Sequence, residues 1–535
     1  MSKTSVNLIL HAHSPYVRHL EYPKFLEENW LFEDLCESYI PLLRMLENLD
    51  SRDVRFRLSI CFSPTLCTML LDEPLQERFV EYMQGRIELG EKEVARTRRQ
   101  QPECHDMAKF YLKSYKENLA FYESMGRNIL DGFIKLQEKG VIEIIATAAT
   151  HCYFPLYKNY KAAVRTQIEI GVKSHIRFFH SAPKGFWLPE CGYYPGLEKE
   201  LANYGIKWCQ IPAHSVITAK NKILSAGYQP LRLYDSEVTG FPRDWSITNL
   251  VWSDSTGYPC DPDYREFYRD IGYDLDMDYI RPYVHEPDVR VFTGYKYMAI
   301  TGRDDNKLPY DLSRAADKVR LHADNFLYHL RRKAMSISAE TQTSPVLNLC
   351  FDAELFGHRW FEGIAFLRQV LQNGVKEKDI EFTTPGEILS RSQEYEKAEL
   401  NECSWGRGGY SDSWLDGENS WVYRHIHKAI ERMEELAERF PNQRSLKARF
   451  LNQAAREVLL AMASDWPYIL HDRTSVIYAE KRLRNHLGSF NVVYSNMCKN
   501  SVHTEWLIKA EKRNAIFPEM DYNLFLEKKD DDKTR

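Results

Sequence analysis

The chain is 535 residues long, which is more than one compact domain of ordinary size holds and enough for a large α/β barrel with an accessory domain. Lysine and arginine number 71 against 76 aspartates and glutamates, and this net charge of −5 gives no field that would draw the protein to nucleic acid or to an anionic membrane. Eleven single cysteines, no signal-peptide pattern and no apolar run near the ~18 residues of a membrane span predict a reduced, cytoplasmic protein.

Short apolar runs alternate with longer helical patterns through the first 390 residues. Most of these runs are continuously apolar, as expected for parallel strands that are covered on both faces. The helical stretches between them, such as Tyr160–His180, are long enough to serve as crossovers. The alternation therefore predicts an α/β barrel or an open parallel sheet. The strand candidates are Val6–His11, Phe56–Phe62, Ile142–Ala148, Gly185–Pro189, Trp208–Pro212, Val346–Phe351 and Glu381–Thr384.

Three stretches depart from this alternation. Residues 91–138 are highly charged and helical, and we interpret them as an insertion between strands. Residues 214–300 are rich in Tyr, Pro and Asp with weak periodicity, which is typical of a lid or a binding loop. After about residue 395 the strand signal ends, and Trp421–Phe440 and Ser445–Ala463 have the pattern of amphipathic helices. We therefore expect a helical C-terminal domain over residues 396–535.

Polar side chains follow several predicted strands at the point where each strand ends. His11 and His13 follow the first strand, and His151, Glu190 and Asp352 end or follow later ones. In barrel enzymes the active site is built at this end of the strands. The positions of these five residues therefore predict that they share a site.

Glu190 and Asp352 suggest the chemistry of that site. Two carboxyl groups at strand ends are typical of glycosidic bond cleavage, in which one attacks the anomeric carbon and the other protonates the leaving oxygen. Retention of configuration requires a separation of about 5–5.5 Å, whereas about 6.5–9.5 Å would imply inversion. A role as a helix cap is the alternative for each carboxylate.

His11 and His13 also have the spacing of metal ligands, and His151 or Asp352 could complete a metal site with an open position. A divalent-metal hydrolase is therefore a rival hypothesis. Histidines that line a sugar subsite as hydrogen-bond donors need no metal, and we favour that interpretation. A structural role for the two histidines is the third alternative.

A glycine-rich segment after residue 402 contains two tryptophans. Gly406, Gly408 and Gly409 interrupt any helix, so Trp405 and Trp414 are predicted to lie on a loop. Because large rings on such a loop are poor core material, we interpret them as stacking platforms for glucose rings. Ordinary core packing is the alternative.

At these motifs the sequence resembles glycoside hydrolase family 57, and specifically its 1,4-α-glucan branching enzyme subgroup, over essentially the whole chain. The segments that carry the resemblance are His11–His13, Gly140–His151 with Tyr153 and Pro155, Trp187–Tyr193, Phe351–His358, Ser404–Gly406 with Trp414, Ala463–Pro467 and Arg513–Tyr522. The resemblance implies a retaining enzyme that transfers an α-1,4-glucan chain to a 6-hydroxyl of a glycogen-like polymer. Glu190 is then the nucleophile and Asp352 the general acid/base, without a cofactor or a catalytic metal.

The same resemblance implies an α/β fold, namely an incomplete (β/α)7 barrel over residues 1–395 with an inserted helical subdomain at 91–138. The all-helical C-terminal domain over 396–535 contributes to the substrate cleft. The partner is an α-glucan, and the protein is expected to be a monomer or a weak oligomer. The expected glucan contacts are His11, His13, His151, Tyr258 on a mobile loop, Arg281, Gly294, Trp405, Trp414 and Asp465.

Five residues depart from the family pattern, and they leave acceptor geometry, chain length and branching itself open. Cys152 and Cys260 replace Gly, Arg359 replaces Trp, Pro242 replaces Gly, and Thr474 occupies a position often filled by Gln. A family-57 4-α-glucanotransferase or an α-amylase is therefore one alternative function. A glucan-binding protein that has lost catalysis is another, from a different class.

Overall fold

The structure, a computed structural model, describes residues 3–302, 306–391 and 394–526. The chain divides into two compact units, each built from separate segments of sequence. The first unit contains Met1–Ile60, Met69–Glu143 and Asp244–Thr384; the second contains Cys61–Thr68, Ile144–Arg243 and Pro385–Arg535. The predicted domain boundaries at 91, 138 and 395 stay predictions.

All seven predicted strands are present, and three short strands were not indicated by the sequence. The additional strands have the sequences LRL, TGFP and EKA, none of which is a continuous apolar run. The strands are β1 (Thr4–Ala12), β2 (Leu58–Phe62), β3 (Ile142–Thr147), β4 (Gly185–Trp187), β5 (Trp208–Ile211), β6 (Leu231–Leu233), β7 (Thr239–Pro242), β8 (Val346–Asp352), β9 (Ile380–Thr383) and β10 (Glu396–Ala398).

The helices confirm the helical character predicted for 91–138 and for the C-terminal region. They are α1 (Glu28–Asp34), α2 (Ile40–Ser51), α3 (Pro64–Leu70), α4 (Glu73–Gln100), α5 (His105–Ser124), α6 (Leu130–Glu138), α7 (Lys161–Phe179), α8 (Leu197–Asn203), α9 (His214–Ile217), α10 (Trp245–Trp252), α11 (Ile271–Asp274), α12 (Met277–Ile280), α13 (Leu312–Thr341), α14 (Gly363–Gly374), α15 (Pro385–Arg391), α16 (Trp421–Arg439), α17 (Ser445–Ala461), α18 (Asp465–Asp472), α19 (Val476–Cys498) and α20 (Thr504–Arg513). A π-helical turn, Leu35–Tyr39, joins α1 to α2. Within the described ranges, no helix is long and apolar enough to cross a membrane.

Two details differ from the sequence-based prediction. The first inserted helix, α4, begins at Glu73 and not near residue 91, because the Asp72 side chain accepts a hydrogen bond from the Leu75 N–H and Pro74 fits the first helical turn. The stretch 214–300 is not wholly irregular, since it contains β6, β7 and the short helices α9 to α12.

In the first unit, strand register places two predicted site residues side by side. β1 pairs in parallel with β8 over seven residue pairs, from Ser5 opposite Val346 to His11 opposite Asp352. β9 pairs in parallel with the first residues of β1. Because paired parallel strands end at the same edge, His11 and Asp352 lie together at the carboxyl end of the pair.

The second unit has its own run of paired strands. β3, β4, β5 and β7 pair in parallel in that order, while β6 runs antiparallel to β7 and β10 parallel to β6. Thr147 at the end of β3 lies opposite Trp187 at the end of β4. The segments that carry His151 and Glu190 therefore leave the strands at the same edge.

Candidate active site

Glu190, in the second unit, is held by hydrogen bonds to both carboxylate oxygens. The Trp405 indole N–H donates to Oε2 over 2.8 Å, and the Ser464 hydroxyl donates to Oε1 over 3.4 Å. His151 Nδ1 lies 2.9 Å from the same hydroxyl and 3.7 Å from Oε1. The Glu190 side chain is 17% exposed, so it is largely withdrawn from water but still reachable. These donors favour an ionised carboxylate.

The backbone at Glu190 is strained. Glu190 and Cys191 both have left-handed conformations, with φ of 58° and 49°, and His151 has φ of 53°. L-residues with side chains rarely adopt this region, at a cost of order 1–3 kcal/mol each. Such strain persists where the surrounding structure fixes it, and it clusters at functional sites.

A backbone pairing brings Trp405 to Glu190. Tyr193 and Cys403 exchange two hydrogen bonds of 2.9 and 3.0 Å, and the Trp405 N–H donates to the Glu190 carbonyl over 3.0 Å. The Trp405 ring packs edge-on against Trp187, and the Arg243 guanidinium lies 5.1 Å from its centre. The indole that contacts the carboxylate is thus fixed from three sides.

Trp414 is a core residue, and the expectation that it is poor core material is wrong. It is 2% exposed, and its ring stacks on Tyr153 with the ring centres 4.5 Å apart. The glycines of the loop explain the burial, because a Cβ at Gly406 would lie 2.4 Å from the Trp414 ring. The ring is therefore not an open stacking platform, and its contact with glucan stays a prediction.

Asp465 directly follows Ser464, whose hydroxyl contacts Glu190. It is the first residue of α18, and the preceding Ser464 donates its backbone N–H to the His151 carbonyl over 3.2 Å. Asp465 is partly exposed. Its predicted role in glucan binding stays a prediction.

In the first unit, Asp352 ends β8 beside the two histidines that follow β1. The ring nitrogen His11 Nδ1 lies 3.4 Å from Asp352 Oδ1, and the His11 and His13 rings stack with centres 5.7 Å apart. His11 is buried, whereas the Asp352 side chain is 37% exposed. Within the described ranges, no three His, Cys, Asp or Glu side chains are grouped as metal ligands.

Glu354, two residues after Asp352, also belongs to this cluster. Its Oε1 accepts hydrogen bonds from the Tyr39 hydroxyl and, over 3.0 Å, from the His13 N–H. Burial and the charge of Asp352 raise the pKa of Glu354 well above its ordinary value. Burial and the charge of Glu354 do the same for the pKa of Asp34. Asp352 therefore lies beside a group of carboxyl side chains in which the pKa values of Glu354 and Asp34 are raised.

The loop after Glu354 rests on the π-helical turn Leu35–Tyr39. His358 Nδ1 lies 2.8 Å from the Glu37 carboxylate, and the His358 N–H donates to the Ser38 hydroxyl over 3.2 Å. Arg359, one of the departures from the family pattern, is exposed, with its guanidinium 5.4 Å from the centre of the Phe267 ring. The π-helical turn thus supports both Glu354 and His358.

Tyr258 lies against α13 in this structure. Its ring stacks on His322 with centres 4.6 Å apart and contacts Phe326 and Phe366, and its hydroxyl donates to Asn325 Oδ1 over 2.6 Å. Its assignment as the tip of a mobile catalytic loop stays a prediction.

Arg281 and Gly294 have partners within the first unit. The half-exposed Arg281 pairs with Asp278 and Asp288, each at 3.2 Å. Gly294 is buried with φ of 80°, and its N–H donates to Asp270 Oδ2 over 2.9 Å. Only glycine fits there, because a Cβ would lie 1.9 Å from the Tyr115 hydroxyl oxygen. Substrate contacts by Arg281 and Gly294 stay predictions.

Comparison with known proteins identifies the family that the motifs indicate. The sequence model of glycosyl hydrolase family 57 matches residues 7–275 and 268–401, which is more than half of the chain. The chain belongs to glycosyl hydrolase family 57. A second model, described as the C-terminal part of 1,4-alpha-glucan branching enzyme, matches residues 425–525 of this family-57 protein.

Three relatives of this family-57 protein are similar over nearly its whole length. A 1,4-alpha-glucan branching enzyme of Thermococcus kodakarensis is 30% identical over 522 residues, 91% of this chain and 73% of the relative. The crystal structure of a branching enzyme of this family from Pyrococcus horikoshii is 30% identical with a TM-score of 0.88, covering 99% of this chain and 98% of that one. The crystal structure of the alpha-amylase AmyC from Thermotoga maritima is 39% identical with a TM-score of 0.93, covering 99% and 100%. These likenesses confirm the predicted fold class, a (β/α)7-type α/β fold with a helical C-terminal region.

Proposed function

We propose that this family-57 protein is a 1,4-α-glucan branching enzyme, which cleaves an α-1,4 bond and transfers the released chain to a 6-hydroxyl of an α-glucan. The observation that carries the proposal is the match of residues 425–525 to the C-terminal model of branching enzymes, on a chain that carries the family-57 region before it. The whole-length relatives from Thermococcus and Pyrococcus, both branching enzymes by name, support it.

Glu190 is the proposed nucleophile. A carboxylate that attacks an anomeric carbon must be ionised and must point one oxygen at the sugar. The Trp405 N–H binds Oε2 over 2.8 Å and fixes the orientation of the carboxyl plane, and the Ser464 hydroxyl donates to Oε1 over 3.4 Å. The strained backbone adds rigidity at the reacting group.

Asp352 is the proposed general acid/base. In a double displacement this group first protonates the departing glycosidic oxygen and then, once ionised, deprotonates the acceptor 6-hydroxyl. Its partial exposure allows contact with both sugars. His11 orients one oxygen of Asp352.

Transfer exceeds hydrolysis only if water is excluded while the glycosyl-enzyme intermediate survives. We propose Tyr258 and Trp405 for this role, because both carry large rings that are partly exposed. A neutral α-glucan is the proposed partner, with the enzyme acting as a monomer or weak oligomer. A cytoplasmic location is also proposed, and the spacing of the eleven cysteines singly along the sequence supports it.

The test is the linkage of the product. Purified protein is incubated with amylose, and α-1,6 anomeric protons are counted by NMR before and after isoamylase digestion. The proposal predicts new α-1,6 linkages that isoamylase removes, releasing short linear chains. Shortened chains that carry no α-1,6 linkage would refute branching. Activity that survives EDTA would set aside the divalent-metal rival.

An α-amylase is the second candidate, because the 39% identical structure from Thermotoga maritima carries that name. An amylase would use the same two carboxylates with water as the acceptor. The two functions differ in the ratio of new reducing ends to α-1,6 linkages. Branching creates one α-1,6 linkage for each bond cleaved, so a large excess of reducing ends favours the amylase.

A further inference from the structure

A cavity within the first unit contains none of the residues to which the proposed function assigns a role, although Gly294, whose glucan contact stays a prediction, lines it. It has a volume of about 360 Å³ and lies between the faces of α2, α5, α13 and α14. This volume is within the range of roughly 300–1,000 Å³ that is typical of small-molecule sites. The cavity is therefore large enough to hold a small organic molecule.

The walls of this cavity are mainly aromatic and aliphatic. Phe361 is the centre of the aromatic part, with its ring centre 5.9–6.0 Å from those of Phe110, Tyr111 and Tyr310. Val319 and Ile364 add aliphatic surface from α13 and α14. Walls of this kind favour a hydrocarbon body, because apolar surface that leaves water gains free energy in proportion to its area.

The rim of the cavity carries positive charge. Arg368, on α14, is exposed and makes no hydrogen bond or ion pair with any residue that the structure describes. Arg44, also on the lining, pairs with Glu117 over 2.9 Å. Partial burial and the positive charges of Arg52 and Arg44 lower the pKa of Arg368. An anionic group placed here would relieve that repulsion.

We propose that this cavity binds an amphiphilic monocarboxylate, with its alkyl chain against Phe361 and its carboxylate at Arg368. The geometry that carries this proposal is an apolar cavity with an unpaired guanidinium at its rim. A free sugar fits less well, since hydroxyl groups buried against apolar walls would lack partners. The proposal does not depend on the catalytic assignment.

The inner wall of the cavity connects with the loop after Asp352. Glu37 lines the cavity and also binds His358 Nδ1 at 2.8 Å. Glu37 lies on the same π-helical turn as Tyr39, whose hydroxyl binds Glu354. A molecule in the cavity therefore contacts a segment that supports the catalytic loop, and hydrogen exchange of both segments is expected to slow when it binds.

Calorimetric titration tests the proposal with octanoate and decanoate, each below its micelle concentration, and with the neutral analogue decanol below its solubility limit. Decanoate is expected to bind about 15-fold more tightly than octanoate, since each added methylene contributes about fourfold. Arg368→Ala should weaken decanoate about fivefold and leave decanol unchanged, as expected for one exposed ion pair. Arg332→Ala, at an exposed arginine on α13 outside the cavity lining, is the matched control.

Filling the cavity is the second arm of the test. Ala316→Trp, at the rim on α13, should abolish binding of decanoate and decanol while amylose activity and the Tm stay at the wild-type value. Ala316→Ser should bind both compounds normally. If Ala316→Trp does not fold, Ala365→Trp on the opposite helix replaces it. Hydrogen exchange of the wild type locates the site independently, with protection expected at residues 110–118 and 361–368.

Three outcomes would overturn the proposal. Undiminished binding to a folded cavity-filling variant would mean adventitious adsorption elsewhere. Equal losses of decanoate and decanol affinity in Arg368→Ala would show that the charge of Arg368 does not contribute to binding of the carboxylate. Displacement of decanoate by maltoheptaose would assign the cavity to the glucan. None of these results depends on whether the protein branches amylose, so the proposed function is tested separately.

Discussion

The hydrogen bond from Trp405 to Glu190 gives the sharpest prediction. Trp405→Phe keeps an aromatic ring between Trp187 and Arg243 but removes the N–H that lies 2.8 Å from Oε2. A hydrogen bond to a charged group contributes about 1.5–3 kcal/mol, which corresponds to a roughly 10- to 150-fold loss in kcat/KM. The loss should appear in kcat, because the N–H orients the nucleophile and does not bind the distal glucan.

The same substitution predicts a change in pH dependence. The N–H stabilises the ionised carboxylate, so its removal should move the acidic limb of the kcat/KM profile to higher pH. Trp421→Phe is the matched control, because the indole N–H of this first residue of α16 donates over 3.1 Å to the Glu418 carbonyl, outside the Glu190 cluster. Steady-state branching kinetics from pH 4 to 9 on both variants provide the measurement. A kcat for Trp405→Phe within twofold of wild type, with an unmoved acidic limb, would refute the proposed orienting role.

Three further predictions concern other residues. Tyr39→Phe removes a donor from the buried Glu354 carboxyl group and should lower the free energy of unfolding by about 1–3 kcal/mol in urea titrations, whereas an unchanged midpoint would contradict that contact. Burial and the charge of Glu37 raise the pKa of Glu33 to about 8, so the free energy of unfolding of the wild type should fall as the pH rises from about 4.5 to 8. Glu33→Gln should flatten this fall by at least about 1.4 kcal/mol, and parallel stability curves for the variant and the wild type would contradict the raised pKa of Glu33. Tyr258→Ala should raise the number of reducing ends formed per α-1,6 linkage on amylose, and an unchanged ratio of reducing ends to linkages would show that Tyr258 does not exclude water from the intermediate.

The strands and the positions of the polar groups at their ends could be predicted because both depend on local sequence. Continuous apolar runs such as Val346–Phe351 identify buried parallel strands, and a polar residue directly after such a run must lie at its end. Parallel register then brings His11 and Asp352 together, as the structure shows. The strands β6, β7 and β10 lack this signal, because none of them is a continuous apolar run.

The contacts that define the surroundings of the carboxylates could not be predicted, because they join distant parts of the chain. Trp405 lies 215 residues from Glu190, and Tyr39 lies 315 residues from Glu354. The sequence also gives no sign of the left-handed backbone at Glu190, which depends on pairing with the loop at Cys403. For these features the tertiary structure, and not local propensity, determines the conformation.

The burial of Trp414 has a physical reason that a glycine-rich sequence does not reveal. Several glycines indicate a loop, yet a glycine also marks the place where another group approaches the backbone closely. Gly406 lacks a side chain because the Trp414 ring occupies that space. A tryptophan next to several glycines is therefore compatible with core packing as well as with an open platform.

Covalent trapping of the glycosyl-enzyme intermediate tests the central claim most directly. The protein is incubated with 5-fluoro-α-maltosyl fluoride, digested, and its peptides are mapped by mass spectrometry, with Glu190→Gln as the control. Double displacement through Glu190 predicts one labelled peptide, with the sugar on Glu190 and no label in the variant. Label on another carboxylate, or turnover by Glu190→Gln at a rate near that of the wild type, would contradict the assignment.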